Sequence, residues 1–301
     1  MKSIFASAAT ALAISAVTLP AWSAQYTYES VAFPGAQTTA LYALNDLRQY
    51  VGAKRDEQAI HAAIWNDGKS LQLLDLAALG PIRESWAFSI NTSSDIAGMY
   101  IDPNGMFHGY LRHGDGTVET IDYPGATGTQ GYGVNDRGTV IGVYADAADV
   151  THAFARIKGV YKNIDLPNGF ATTPLSVNNS NQIVGEFQPT AEVIGYGFVL
   201  NPDGTFTLHN APDTPEQSTF FISINNRKEV LGAWFDAEGA EHNFLRKQAK
   251  YKPIALPDSF GANITSAQTI NDFNDIVGYY VDDSGFAKGW TAFSKHGGIG
   301  K

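Results

Sequence analysis

VNDRGTVIG, from Val134 to Gly142, decides the fold, because the chain carries five diverged copies of it. They are LNDLRQYVG from Leu44, INTSSDIAG from Ile90, VNNSNQIVG from Val177, INNRKEVLG from Ile224 and INDFNDIVG from Ile270. The asparagines fall at Asn45, Asn91, Asn135, Asn178, Asn225 and Asn271, so consecutive copies lie 43 to 47 residues apart. Seven residues after each comes a glycine: Gly52, Gly98, Gly142, Gly185, Gly232 and Gly278. Six matches at one offset mark a repeat architecture, and that reading precedes any single-site motif.

Other landmarks keep step with this frame. An aromatic follows the glycine in five copies, at Tyr100, Tyr144, Phe187, Trp234 and Tyr280. A short run such as His61-Ala62-Ala63, His108-Gly109-Tyr110 or His242-Asn243-Phe244 comes next, then hairpin signals such as Pro202-Asp203-Gly204. A last segment ends at Pro124, Pro167, Pro212 or Pro257, with a degenerate version ending at Ala77 in the first copy. Each repeat therefore reads as four short strands, which is a propeller blade. No sustained 3.6-residue period supports a helical solenoid, and a β-helix needs shorter coils.

The last repeat stops after its third strand, Phe286 to Phe293, and lacks a fourth. A matching fourth-strand segment stands at Tyr28 to Pro34, eleven residues before Asn45, the spacing that also separates Pro124 from Asn135. The expectation is an all-β, six-bladed propeller of four-stranded antiparallel blades. Its repeats run about 37–82, 83–126, 127–170, 171–214, 215–260 and 261–293, and strand 26–33 closes the ring and covers an open sheet edge. Residues 294–301 read as a flexible tail, and 24–293 as one domain.

Residues 1–23 read as a secretory signal: Lys2, an apolar run from Ile4 to Val17, Pro20, then the small-x-small site Ala21-Trp22-Ser23. The mature chain is expected outside the cytoplasm, secreted or periplasmic, without membrane insertion. A net charge of −10 argues against nucleic acid or an anionic membrane as the main partner. The absence of cysteine removes disulfides and thiolate chemistry.

The stretch Thr151-His152-Ala153-Phe154, with INxxxxIVG upstream and IDxPG downstream, resembles the extracellular HAF repeat, named for His-Ala-Phe. The resemblance extends over residues 26–293 and implies bacterial export and a repeat architecture. It brings no established catalytic motif with it.

The six asparagines read as structural, since Asn at a hairpin turn bonds the backbone two residues on. The six glycines mark close approach of a neighbouring backbone. The small residues two before each Asn, such as Ala43 and Ser89, are expected to crowd the axis. His61, His108, His152 and His242 occupy equivalent places in different blades, so they cannot converge on one zinc. They are expected to be buried and bonded to neighbouring strands.

Candidate ligand-face residues are Trp86 and Phe220, which hold one repeat position, and the loop acids Asp102, Asp146, Asp236 and Asp282. That face carries the loops between second and third strands and those between blades. No metal or other cofactor is expected; calcium in the acidic loops is the alternative, although none spells Asp-x-Asp-x-Asp-Gly. The first functional expectation is a monomeric, non-catalytic binding or adhesion module for a glycan, a peptide or another extracellular protein. A secreted polysaccharide hydrolase or lyase and a structural envelope component are the alternatives.

Overall fold

The computed structural model describes residues 26–66, 70–193, 195–215, 218–257 and 260–295; the expected signal, 1–23, lies outside them. Six four-stranded antiparallel sheets form the blades of a propeller. Their inner strands are Thr38–Leu44, Glu84–Ile90, Gly128–Val134, Ala171–Val177, Thr219–Ile224 and Ile264–Ile270, defining blades 1 to 6. Among the described residues helical backbone is limited to the 3-10 turn at Ala77–Leu79 and to Phe260, and no helix is long and apolar enough to cross a membrane.

Blade 6 takes its outer strand from the other end of the chain. Tyr26–Val31 pairs with the third strand, Ala287–Ser294, in a register running from Tyr26 opposite Ser294 to Val31 opposite Gly289. The ring is thus closed by the expected N-terminal strand. The third strand extends to Ser294, whose amide donates to Asp275 Oδ1 at 3.0 Å, so the tail begins beyond this residue.

Separate sheets share no backbone ladder, so side chains must join them at the axis. Each repeat asparagine holds its own turn with one end and joins the next blade with the other. Its Oδ1 accepts the amides two and four residues on, as Asn135 does from Arg137 and Thr139, both at 3.0 Å. Its Nδ2 donates to the backbone carbonyl of the next blade's asparagine: Asn45 to Asn91, Asn91 to Asn135, Asn135 to Asn178, Asn178 to Asn225, Asn225 to Asn271, and Asn271 back to Asn45. The six bonds, between 2.8 and 3.4 Å, close a ring. All six residues are buried, and each turn carbonyl, which also accepts the amide three residues on, gains a second donor from the neighbouring blade.

Every inner strand carries a bulge three residues before its asparagine, seen as a register shift such as that between Leu41 and Ala43. The bulge brings a carbonyl of the inner strand onto the repeat glycine. A Cβ on Gly142 would lie 1.9 Å from the Gln130 carbonyl oxygen, and one on Gly52 2.0 Å from that of Ala40. The close backbone is therefore that of the glycine's own blade. An aromatic from the third strand covers the glycine in five blades: Tyr110, Phe154, Phe198, Phe244 and Trp290.

The bulge adds to the expected filling of the axis. Ser89, Ser176 and Ser223, two before their asparagines, accept the amides of Val134, Ile224 and Ile270 from the next blade. With Ala43 and Thr269 they line the channel, and the bulged residues, one position earlier, line it too.

Deleting residues 26–34 should remove the closing strand and unburden Tyr26, Val31 and Phe33 of their buried packing, worth roughly 1.5–3 kcal/mol per side chain. A thermal melt should show a sharply lowered midpoint; an unchanged midpoint would contradict the closure. Asn135→Ala should cost on the order of 3 kcal/mol, because two turn amides lose their side-chain acceptor and the Asn178 carbonyl loses one of its two donors. Denaturant titration measures it, and a loss below about 1 kcal/mol would show that the ring is not energetically important.

Candidate functional site

The bulged residues are Tyr42, Phe88, Tyr132, Leu175, Ile222 and Gln268, and all six line one cavity that follows the axis. The rings of Tyr42 and Phe88 lie 5.3 Å apart and those of Phe88 and Tyr132 5.6 Å, so three blades present a continuous aromatic wall. Tyr279 meets Tyr42 edge-on at 6.5 Å, from the second strand of blade 6. The cavity spreads into the gap between blades 5 and 6 and occupies about 2450 Å³. It reaches the face that bears the loops between second and third strands, through Asp236 to Ala240 and Asp282 to Gly285.

Two positions before the bulged residue stand Ala40, Trp86, Gln130, Thr173, Phe220 and Ser266. Phe220 lines the cavity and stacks on Phe235 at 5.7 Å and 20°. Trp86 is half-buried in blade 2, opposite Met99, and is not among the lining residues. The two aromatics thus share a repeat position without sharing a site.

The residues opposite them on the second strands are Ala53, Met99, Val143, Glu186, Ala233 and Tyr279. Glu186 is the single charged member, and it faces the cavity from blade 4. Surrounding protein pushes its carboxyl up to about 7, opposed only by the Gln188 amide. Glu241, at the start of the third strand of blade 5, lines the same cavity. Burial raises it too, against hydrogen bonds from Asn243 Nδ2 at 2.7 Å and Ser266 Oγ at 2.9 Å. Sequence reading missed both glutamates. Glu186 had a signal, since it is the one acid at a position otherwise filled by Ala, Met, Val and Tyr.

The loop acids have local partners. Asp102 Oδ1 accepts the amides of Asn104 and Met106, and Asp146 and Asp236 repeat the pattern with Ala148 and Val150 and with Glu238 and Ala240. Asp282 caps Ser284 and pairs with Lys288. The second oxygen of Asp146 and Asp236 faces the third-strand histidine, 3.4 Å from His152 and 2.7 Å from His242. These carboxyls are held below the usual range: Asp102 and Asp146 chiefly by the backbone amides, Asp236 by His242 and Asp282 by Lys288. Their geometry is that of turn stabilisers, spread over four blades.

The four histidines are partly exposed rather than buried; His61 faces Lys54 and Asp56, and the other three stack on second-strand aromatics. His108 lies on Tyr100, His152 on Tyr144 and His242 on Trp234, with centroids 4.9, 5.1 and 4.3 Å apart. His152 Nδ1 sits 2.7 Å from Asp165 Oδ2, which is the main reason its pKa is raised. Among the described residues no three His, Asp or Glu side chains gather in a group that could hold a metal ion.

Because the folded Glu186 carboxyl holds its proton up to about pH 7, folding takes up a proton above the usual value of 4.5. Stability is then lost as pH rises from about 4.5 to about 7. Glu186→Gln removes that loss. Its melting temperature should exceed that of the unchanged protein clearly at about pH 8 and hardly at about pH 4. An equal difference at both pH values would show that the carboxyl is not held protonated.

No protein-family model matches the chain, and no curated protein does. Among solved structures the fold is similar to the fucose-recognising lectin of the fungus Aleuria aurantia, a six-bladed β-propeller, with TM-score 0.53 and 9% identity over 91% of this chain and all of that one. A variant of the same lectin in complex with α-methyl-L-fucoside gives TM-score 0.52 and 8% identity over 87% of this chain and 93% of that one. At such identity the likeness is one of fold: this chain is a six-bladed β-propeller of the architecture that those lectins share.

Proposed function

We propose that the chain is an exported, non-catalytic carbohydrate-binding propeller whose ligand enters the axial cavity on the loop-bearing face. The observation that carries this reading is the cavity itself, about 2450 Å³ with aromatic rings of five blades on its wall. Flat rings beside polar groups suit the apolar faces and hydroxyls of sugars. The signal-like residues 1–23 and the HAF-repeat likeness support export. The Aleuria lectin uses the same architecture for fucose, which supports a sugar ligand by analogy of fold.

A glycoside hydrolase draws on one observation, that Glu186 and Glu241 line one cavity. Burial moves both carboxyls upward, whereas a catalytic pair needs environments that part its two pKa values. Binding without cleavage fits that better.

Calorimetry against a panel of oligosaccharides tests the proposal, with product analysis of the same mixtures. One oligosaccharide class should bind without release of new reducing ends, and Phe220→Ala should weaken it by about tenfold, the loss of ~1.4 kcal/mol expected for one stacked ring. No saccharide binding, or cleavage of the bound one, would overturn it.

A further inference from the structure

We propose that the cavity selects glycans with free amino groups, and that Glu186 and Glu241 are its specificity-determining residues; this rests on the carbohydrate-binding reading above. Nine carboxylates and neither a lysine nor an arginine line the cavity among the described residues. Most of the nine are committed elsewhere. Asp236 and Asp282 hold their loops, and Asp46, Asp136 and Asp272 bond around the mouth where the asparagine ring sits, as in the Asp272 amide donating to Asp46 Oδ1 at 2.9 Å.

Glu186 and Glu241 differ from these. Both line the cavity half-buried, and neither forms a salt bridge among the described residues. Glu186 has the Gln188 amide, and Glu241 has Asn243 and Ser266, with the adjacent His242 imidazole on the same strand acting weakly. A buried carboxylate without a cation is costly. At the Glu186 position the blade does not need a charge, since it holds Ala53, Met99, Val143, Ala233 or Tyr279 in the other repeats.

A cationic ligand removes the cost by supplying the missing partner. The stacked Phe220 and Phe235 rings and the Tyr279 ring stand on the same cavity wall, so an ammonium held there also gains their π faces. Among sugars, positive charge comes from an unacetylated amine. The ligand class is therefore an oligosaccharide of free glucosamine type.

Three β-1,4 tetrasaccharides that differ only at C2 provide the test: the glucosamine, N-acetylglucosamine and glucose tetramers. At neutral pH the glucosamine tetramer should bind at least about tenfold more tightly than the others, and this gap should shrink when salt rises from about 20 to about 500 mM. Glu186→Gln and Glu241→Gln should each lower its affinity by about tenfold and leave the N-acetylated and glucose tetramers unchanged, with Glu186→Gln melting no lower than the unchanged protein. Equal affinity for all three, or a gap that survives both substitutions, overturns the amine selectivity and leaves the carbohydrate reading standing. No binding of any tetramer, with the amine spermidine bound in a Glu186-dependent way, overturns the carbohydrate reading and this proposal with it.

Discussion

The structure depends on six hydrogen bonds from asparagine side chains to the carbonyl of the next blade. A propeller blade has its own complete backbone ladder and offers nothing of it to its neighbour. At the axis the turns come so close that their amides and carbonyls are buried. The Asn ring satisfies the turn with its oxygen and the neighbour with its nitrogen, so one side chain sets both the hairpin and the angle between blades. The sixth bond, from Asn271 to Asn45, joins residues 226 apart in sequence and ties the last blade to the first.

The bulge beside the ring has two consequences that belong together. It presses an inner-strand carbonyl against the second strand, where only glycine fits, and an aromatic from the third strand fills the space that the absent side chain leaves. It also turns one residue per blade toward the axis. Those six positions are free of any role in the ladder's alternation, and the chain places Tyr, Phe, Tyr, Leu, Ile and Gln there. The scaffold thus leaves its least constrained side chains on the wall of its cavity.

Within that frame, acids at different places have opposite characters. A loop aspartate that accepts two amides and faces a histidine is settled as an anion, and its carboxyl is held down. A strand glutamate with one amide neighbour and little water is unsettled, and its carboxyl is pushed up. The repeat needs the first kind to shape its turns. It has no structural use for the second, which is the physical reason for assigning the site to Glu186 and Glu241 rather than to the loop acids.

The number of blades, the strand order within each, the closing role of Tyr26–Val31 and the structural use of the asparagines and glycines were legible in the sequence. Each is a local demand that all six copies must meet, so it recurs at a fixed offset. Which side chains face the cavity was not legible. A one-residue bulge reverses the alternation along the inner strand, and it leaves no residue-type signature that could be told from the regular pattern. That shift put Tyr42 and its equivalents on the channel wall beside Ala43 and its own, and blade placement separated Phe220 from Trp86. The acids were misjudged for a related reason. Whether a carboxylate is capped by its own turn or stranded in a wall depends on neighbours brought together from different strands and blades, and only the closed ring decides who those neighbours are.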